Sequence, residues 1–439
     1  MVDEVPVSAA FRGVEPGSRI LAASYCGTPQ TLLEELGRYA ARTENLELAS
    51  GLMLGSFPFA QAVRNGDLKY RTWHPAGVGR DLVMSGDAEY VPLRASDVRA
   101  TITGTTDVLL LRVSPPGRDG FCSTGPTATF TRAAVETSKL VIAEVDPDLP
   151  RTSGDSRVHL SEIGRLVTAE DPIAYYPGPS RVDERAVAIA RHVAELIPDR
   201  ATVQLGIGAI TETVGEILGS GQGAFGIRVL GMLTEQMIPL AESSAGTVRA
   251  VEVMGGPTIM EWASRNTRIE MTSSDRVHDP GYLSQTDKFV SVNSAASIDL
   301  TGQVVSDTIG GRVVSGIGGS ADFFEGAHLS PGGLRILALA STTGRGLPTI
   351  VPEHPVGVQV TIPRHSVDVV VTEHGVAWLR GRTVAERREA LLAIAGDSPA
   401  DTAGETAGDT AATRAGNTTA DSVGVSIGDV AVTAGKEQS

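Results

Sequence analysis

Short, continuous apolar runs alternate with amphipathic segments along most of this chain. Residues 107–113 form one such run, mostly Val and Leu, and the Ser-Pro-Pro-Gly segment 114–117 closes it. A run that is apolar on both faces is typical of a buried parallel strand. Residues 30–39 instead place Leu at helical spacing, which predicts an amphipathic helix. Because strands and helices alternate in this way, the pattern predicts an α/β fold with mostly parallel sheets.

A segment rich in turn formers, Tyr-Tyr-Pro-Gly-Pro-Ser at 175–180, divides the chain into two similar halves. A Pro-containing turn, an apolar strand, a glycine turn and a helix follow one another both from residue 16 and from residue 198. This repeat predicts two α/β domains, over residues 1–180 and 181–396. Residues 397–439 differ, with seven acids, two bases and no aromatic residue. They cannot bury enough apolar area to offset the entropy of ordering, so we expect a disordered tail.

The charge and the cysteine content exclude several classes of protein. A net charge of −15 argues against a nucleic-acid partner, since phosphate backbones are bound by basic surfaces. Two cysteines, Cys26 and Cys122, do not make a disulfide framework. The histidines show no metal-binding spacing, so we expect no metal site. With no apolar run of the roughly 18 residues that span a membrane, and no leader pattern at the start, we expect a cytoplasmic protein that does not bind membranes.

A glycine loop in the second half is the first stretch with chemical meaning. The strand-like run 203–205 leads through the loop 206–208 into the start of a helix. This begins like the Gly-x-Gly-x-x-Gly nucleotide fingerprint, but Thr211 takes the place of the third glycine, which argues against a nicotinamide or flavin site. The loop still presents backbone N–H groups at a helix start, where they can hold an oxyanion or a phosphate.

An acid and another glycine turn are the next two stretches. Glu235 follows an apolar segment with a predicted strand over 226–230, and a carboxylate at the carboxyl end of a parallel strand faces the usual ligand crevice. The Ser-Gly-Ile-Gly-Gly turn at 315–319 allows the backbone to approach a ligand closely. Taken singly, each has a structural alternative: Glu235 as a solvated or capping residue, and the turn as a packing feature.

Taken together and in order, the stretches of this chain resemble the acetyl-CoA hydrolase/transferase family, which includes 4-hydroxybutyrate and butyrate:acetate CoA-transferases. The resemblance covers roughly residues 15–396. It is carried by the segments 113–123, 142–156, 204–210, 292–304, 315–323 and 371–381. So many matches in order are specific for the family, while they leave the substrate open.

The resemblance implies two CoA-transferase-type α/β domains with the active site between them, and a covalent mechanism. Glu235 attacks an acyl-CoA thioester, an anhydride and then a glutamyl-CoA thioester form, and a small carboxylate such as acetate takes over the CoA. No metal and no tightly bound cofactor are needed, and the family suggests a homodimer. The residues carried over are Glu235 as nucleophile; Ala209 and Ile210 for the oxyanion hole; Gly206, Ile207, Gly208, Ala209, Ile210, Ile317, Gly318 and Gly319 for CoA; and Asn293 and Glu373 as residues lining the substrate site.

The sequence departs from the family pattern around the nucleophile. Leu233 stands where many members have His before the Thr-Glu pair, and residues 236–239 replace a Ser-Asp-Gly turn. Two further functions therefore stay open beside CoA transfer. One is hydrolysis of acyl-CoA on the same scaffold, with water as the final acceptor. The other is a non-catalytic CoA-binding role.

Overall fold

The computed structural model describes residues 3–179 and 181–396, which include two eight-stranded sheets. The predicted α/β class with mostly parallel sheets is confirmed. Residue 180, at the expected domain limit, and the tail 397–439 lie outside the described residues. The domain limits and the disordered tail therefore stay predictions.

The first half of the chain builds a wholly parallel sheet. The strands described in it are β1 (Asp3–Glu4), β2 (Arg19–Ala22), β3 (Leu46–Ser50), β4 (Leu68–Thr72), β5 (Glu89–Tyr90), β6 (Val108–Val113), β7 (Phe121–Ser123), β8 (Leu140–Val145), β9 (Arg157–His159) and β10 (Arg165–Thr168). The helices are α1 (Gln30–Ala40), α2 (Ala60–Arg64), α3 (Gly77–Ser85), α4 (Val98–Ile102) and α5 (Thr131–Thr137). The sheet order is β1-β10-β8-β6-β2-β3-β4-β5, while β7 and β9 pair as an antiparallel ribbon.

The second half builds a sheet that is parallel except at one edge. Its strands are β11 (Thr202–Leu205), β12 (Arg228–Thr234), β13 (Val248–Met254), β14 (Ile269–Met271), β15 (Phe289–Asn293), β16 (Ser297–Asp299), β17 (Val304–Val305), β18 (Thr308–Ile309), β19 (Arg312–Val313), β20 (Leu334–Ala338), β21 (Ile350–Val351), β22 (Val369–Thr372) and β23 (Gly375–Trp378). The main sheet has the order β14-β13-β12-β11-β15-β20-β22-β23, with β23 antiparallel.

The helices of the second half are α6 (Glu184–Leu196), α7 (Ala209–Gly219), α8 (Ile238–Ser243), α9 (Pro257–Arg265), α10 (Ser274–Val277), α11 (Pro280–Leu283), α12 (Ser320–Leu329) and α13 (Val384–Leu392). Short 3-10 turns lie at Val7–Ala9, Ala95–Asp97, Leu160–Glu162, Glu235–Met237 and Arg364–Ser366. Each of the two main sheets is covered by apolar packing on both faces, as the alternation within β6 illustrates. Val108 and Leu110 pack in one core cluster, and Leu109 and Leu111 pack in the other. Burial on both faces is why the strand reads as a continuous apolar run.

One predicted strand has the wrong bounds. The segment expected at 226–230 is instead β12, which runs from Arg228 to Thr234 and leads directly into Glu235. Gly231 has φ +119° and lies at a register shift against β13, between Gly231 and Met232. A glycine that ends a strand and one that allows a bulge within it look alike in a sequence.

The carboxyl ends of the two sheets meet at one central cavity of about 140 Å³. Residues that follow β2, β3 and β4 line it from the first sheet, and residues that follow β11 and β15 line it from the second. Ligands bind outside the carboxyl ends of the strands in parallel α/β sheets. The fold therefore places a crevice between two such edges.

Candidate active site

Glu235 stands at the carboxyl end of β12, as the first residue of the turn Glu235–Met237. Its side chain is half-buried, and Oε2 accepts a hydrogen bond of 3.1 Å from the amide of Gly256. The loop can approach Glu235 closely because residue 255 is a glycine. A Cβ at this position would lie 3.3 Å from Glu235 Oε2 and only 2.5 Å from Ile259 Cγ2. Among the described residues Oε1 has no hydrogen-bond partner. One oxygen is thus fixed while the other is available.

The recess around Glu235 has a volume of about 260 Å³ and is closed by the segment that joins the two halves of the chain, residues 175–178. Within it, Tyr176 Oη donates a hydrogen bond of 3.3 Å to Glu212 Oε1. The same oxygen accepts 3.0 Å from the amide of Gly208. Burial raises the pKa of Glu212. Through Glu212, the wall of the Glu235 recess is connected to the glycine loop after β11.

The glycine loop after β11 spans the space between two cavities. Gly206 and Ile207 line the central cavity, whereas Gly208, Ala209 and Ile210 line a second cavity of about 210 Å³. Gly208 has φ +121°, a conformation that glycine adopts without strain, and α7 begins at the next residue. The loop thus connects the end of β11 to the start of α7 and lies between the central cavity and the second cavity.

The second cavity combines the start of α7 with basic side chains. Arg181 and Arg185 line it together with Asp183. Arg185 is held by Asp183 at 2.9 Å and by the Thr342 hydroxyl at 3.1 Å. Helix N-termini and arginines both favour anions, so the chemistry of this cavity suits a phosphate or an oxyanion.

The glycine turn before α12 is fastened to the first sheet. The carbonyl of Gly318 accepts a hydrogen bond of 3.0 Å from the amide of Ala95. The Asp322 carboxylate accepts two hydrogen bonds from Ser96, one of 3.1 Å from the amide and one of 2.6 Å from the hydroxyl. Asp322 is buried, which raises its pKa to about 6. These bonds hold the turn at the boundary between the two sheets, where Ile317, Gly318 and Gly319 line the central cavity.

Asn293 ends β15 and lines the same central cavity. Its Nδ2 donates hydrogen bonds to Ser291 Oγ, at 2.9 Å, and to Gln204 Oε1, at 3.2 Å. Ser291 Oγ in turn donates a hydrogen bond of 2.6 Å to Gln204 Oε1. Both amide hydrogens are therefore used within the protein. A Cβ on Gly206 would lie 3.1 Å from Asn293 Oδ1, so the amide oxygen is the atom placed against the glycine loop.

Two groups in the central cavity were missed by the sequence reasoning. Glu252, on β13, is wholly buried, and its Oε2 accepts 2.9 Å from Thr127 Oγ1 of the first half. Burial raises the pKa of Glu252 well above its usual range. His278 follows α10 and is also buried, which lowers its pKa to about 3. The one available signal for Glu252 was a lone acid inside the apolar strand β13.

His74 and Glu373 complete the surroundings. His74 lines the central cavity, its ring lies 3.2 Å from Ser315 Oγ, and burial lowers its pKa to about 4. The Glu373 carboxylate accepts two hydrogen bonds from Ser341, one of 2.9 Å from the amide and one of 2.8 Å from the hydroxyl. Glu373 is not among the residues that line the three cavities described above.

The expected site residues thus do not all share one cavity. Gly206, Ile207, Asn293 and the turn 317–319 meet in the central cavity, and Glu235 lies in its own recess. Within residues 3–179 and 181–396, no three His, Cys, Asp or Glu side chains are grouped to hold a metal ion. No helix in these same ranges has the length and apolar character to cross a membrane.

Comparison with known proteins gives matches along most of the chain. Residues 6–177 match the family model for the acetyl-CoA hydrolase/transferase N-terminal domain, and residues 255–401 match that for the C-terminal domain. A 4-hydroxybutyrate coenzyme A transferase of Clostridium kluyveri is 35% identical over 405 residues, covering 89% of this chain and 94% of the relative. An acetyl-CoA hydrolase of Eremothecium gossypii is 23% identical, covering 76% and 70%.

A solved structure shows the same architecture. The crystal structure of a 4-hydroxybutyrate CoA-transferase from Porphyromonas gingivalis superposes with a TM-score of 0.72 at 26% identity. The superposition covers 90% of this chain and 94% of the solved one. The overall fold is therefore shared with that protein.

Proposed function

Because the chain belongs to the acetyl-CoA hydrolase/transferase family, we propose that this enzyme moves CoA from an acyl-CoA to a small carboxylate through covalent intermediates on Glu235. One observation carries the assignment to Glu235. Glu235 directly follows the parallel strand β12; its Oε2 accepts a hydrogen bond from the amide of Gly256, and its Oε1 has no hydrogen-bond partner among residues 3–179 and 181–396. A nucleophile needs a charged oxygen with an unused lone pair, and this side chain provides one.

In the first half-reaction, a Glu235 oxygen attacks the thioester carbonyl, and the C–S bond breaks to give CoA thiolate and an acyl-glutamyl anhydride. The thiolate then attacks the glutamyl carbonyl of this anhydride. The acyl group leaves as a free carboxylate, and Glu235 is left as a glutamyl-CoA thioester. This route divides one difficult displacement into easier steps.

The second half-reaction runs the same steps in reverse with a different carboxylate. The acceptor attacks the glutamyl-CoA thioester, which releases CoA thiolate and forms a new anhydride on Glu235. Thiolate attacks the acceptor's carbonyl, the new acyl-CoA departs, and the Glu235 carboxylate is restored. Every bond broken is matched by one of the same type, so the exchange needs no ATP to drive it.

We assign the CoA contacts to the two glycine segments. Gly206, Ile207, Ile317, Gly318 and Gly319 let the backbone approach a thioester in the central cavity. Ala209 and Ile210, at the start of α7, are assigned to oxyanion stabilisation, for which loss of one donor typically costs about 10²–10³ in rate. Catalytic contacts often tighten only when substrate binds, which is how we relate the Glu235 recess to the central cavity.

Glu252 is the acid that lines the central cavity, and its environment argues against a nucleophilic role. It is wholly buried with a raised pKa, and a protonated carboxyl group has no charged oxygen with which to attack. Glu235 is instead only half-buried, and its Oε2 accepts a hydrogen bond from the amide of Gly256. We therefore assign bond formation to Glu235.

Trapping the covalent intermediate tests the proposal. Borohydride reduces a glutamyl-CoA thioester to an alcohol, so incubation with acyl-CoA and borohydride should inactivate the enzyme, and peptide mapping should locate the alcohol at Glu235. Glu235→Gln should form no adduct and should lose at least about 10³-fold in turnover. Glu261→Gln, an exposed acid on α9, serves as the matched control and should behave like the wild type.

The same assay separates the alternatives. Transfer of CoA to labelled acetate identifies a transferase, whereas release of free thiol without labelled acyl-CoA identifies a hydrolase. An adduct at Glu252, or none at any acid with unchanged turnover in Glu235→Gln, would refute the assignment. A homodimer and a cytoplasmic location stay predictions that rest on the family resemblance and the sequence.

A further inference from the structure

The strands that lead into the glycine loop and into Glu235 are neighbours, but the ladder between them is short. Within residues 181–396, the pairing of β11 with β12 ends at Val203 and Val229. Toward its carboxyl end, β12 instead bulges at Gly231 against β13 and then leads into Glu235. The sheet alone therefore does not fix the distance between the glycine loop and the nucleophile, and other contacts have to set it.

The packing of α7 is the first of these contacts. A Cβ on Gly215 would lie 2.9 Å from Met237 Cγ, and one on Gly219 would collide with the backbone nitrogen of Leu240. The two glycines thus allow α7 to lie directly on α8 and on the turn that begins at Glu235. This packing fixes the body of the helix, whereas the glycine loop that precedes its first residue needs a contact of its own.

Glu212, in the first turns of α7, supplies that contact. Its side chain is only 1% exposed and turns back to the loop, where Oε1 accepts a hydrogen bond of 3.0 Å from the amide of Gly208. The same oxygen accepts a hydrogen bond of 3.3 Å from Tyr176 Oη, which lies 36 residues earlier, in the segment that joins the two halves of the chain. Capping of a helix start requires only the loop amide, so a second donor from a distant segment indicates a further role.

Tyr176 extends this series of hydrogen bonds to the nucleophile. Its backbone amide donates a hydrogen bond of 3.3 Å to the carbonyl of Gly255. The amide of the next residue, Gly256, donates the hydrogen bond of 3.1 Å that holds Glu235 Oε2. All three residues line the same recess as Glu235. A continuous path thus runs from the glycine loop, through Glu212 and Tyr176, to the carboxylate of the nucleophile.

We propose, on the basis of the function above, that Glu212 and Tyr176 are positioning residues that hold the oxyanion donors of the glycine loop at a fixed distance from Glu235. Neither side chain needs to touch the substrate, because both act through the backbone groups that they bind. An oxyanion formed by attack of Glu235 is stabilised only by donors about 2.7–3.1 Å from its oxygen. A misplacement of about 1 Å can cost about 100-fold in rate, so the spacing between loop and nucleophile is a requirement of the reaction.

Substitution of Glu212 tests this inference through the separate effects on kcat and KM. Glu212→Ala leaves the Gly208 amide and the Tyr176 hydroxyl without this acceptor, so kcat for CoA transfer to labelled acetate should fall about 10- to 100-fold. The KM for the acyl-CoA should stay within about 3-fold, because an interaction needed only in the transition state is lost. Glu212→Gln should keep kcat within about 3-fold of the wild type, because its amide oxygen can accept both hydrogen bonds. Glu216→Ala, at an exposed acid one turn further along α7, is the matched control and should behave like the wild type.

Tyr176→Phe tests the same path by removing a single hydroxyl group. It should lower kcat about 3- to 10-fold, and it should have less than about 2-fold further effect when Glu212 is already Ala, because the two side chains act in series. An unchanged kcat in Tyr176→Phe overturns the inference even if Glu212→Ala folds poorly, and so do losses that multiply in the double variant. In each of these cases the wild type still forms the borohydride adduct at Glu235, whereas the absence of that adduct would refute the proposed function instead.

Discussion

Replacing Gly319 by Ala tests how tightly the glycine turn is packed. Gly319 has φ −94°, so the backbone conformation itself accepts an L-residue. The new Cβ, however, would lie 2.5 Å from Nε2 and Cδ2 of His278 and 2.9 Å from Cε2 of Phe323. Carbon contacts in proteins are normally about 3.5–4.0 Å, so the turn or the imidazole must move by about 1 Å. The cost is therefore steric rather than conformational.

Overpacking of this kind destabilises proteins by about 1–3 kcal/mol. In a domain of this size, that corresponds to a fall in the melting temperature of about 2–4 °C for each kcal/mol. Gly319 also precedes the first residue of α12, where Ala is a poorer capping residue than Gly. A double-mutant cycle with His278→Ala separates the two effects, since removing the imidazole leaves room for the new methyl group.

Calorimetric scans of the four proteins of this cycle provide the assay. Gly319→Ala should cost at least about 0.5 kcal/mol less when His278 is already Ala, because contacting residues couple by about 0.5–3 kcal/mol. Gly344→Ala is the matched control, since nothing lies within 4 Å of the methyl group it would introduce. Equal losses in both backgrounds, or none in either, would refute the packing of His278 against the turn.

Two further predictions concern buried acids. Because Glu252 has a raised native pKa, the stability it contributes is complete below the ordinary pKa of Glu and is lost as pH rises toward the native value, by about 1.4 kcal/mol for each pH unit. In denaturant titrations, the stability of Glu252→Gln relative to the wild type should therefore increase as pH rises above the ordinary pKa of Glu, and a difference that stays constant with pH would contradict this. Ser96→Ala removes the hydrogen bond of 2.6 Å to Asp322 and should lower the free energy of unfolding by about 1.5–3 kcal/mol. The control Ser264→Ala, on the exposed face of α9, should leave the stability nearly unchanged. Equal effects of the two substitutions would show that the hydrogen bond to Asp322 does not hold the turn in place.

The sheets could be predicted because the apolar run within each strand indicates that the strand is buried. The apolar run of β6 and the alternation of strand and helix need no distant partner to be recognised. Strand ends were harder, as β12 shows. Its bulge at Gly231 depends on pairing with β13, which lies some 20 residues further along the chain. Local patterns cannot contain that information.

In the candidate site, too, residues in local motifs could be predicted, whereas residues that depend on distant contacts could not. Glu235 and the glycine turn follow from short motifs, and their places at the crevice follow from the ends of strands. Glu252 does not, because its role depends on Thr127, 125 residues away, and on its complete burial in the folded chain. The same holds for His278, whose close approach to Gly319 exists only in the folded chain. Motifs locate chemistry, but charge states are set by tertiary surroundings.

The separation of the two acids has a physical rationale in the proposed reaction. A nucleophilic carboxylate must be charged, so it needs solvent or donors, and Glu235 has both in its recess. An acyl chain is bound best in a dry and neutral cavity, and burial raises the pKa of Glu252 well above its usual range, which favours its neutral form. Two acids in one cavity would oppose each other's ionisation, and the nucleophile would lose charge. Placing Glu235 in its own recess, apart from the central cavity that Glu252 lines, keeps the nucleophile separate from the buried acid.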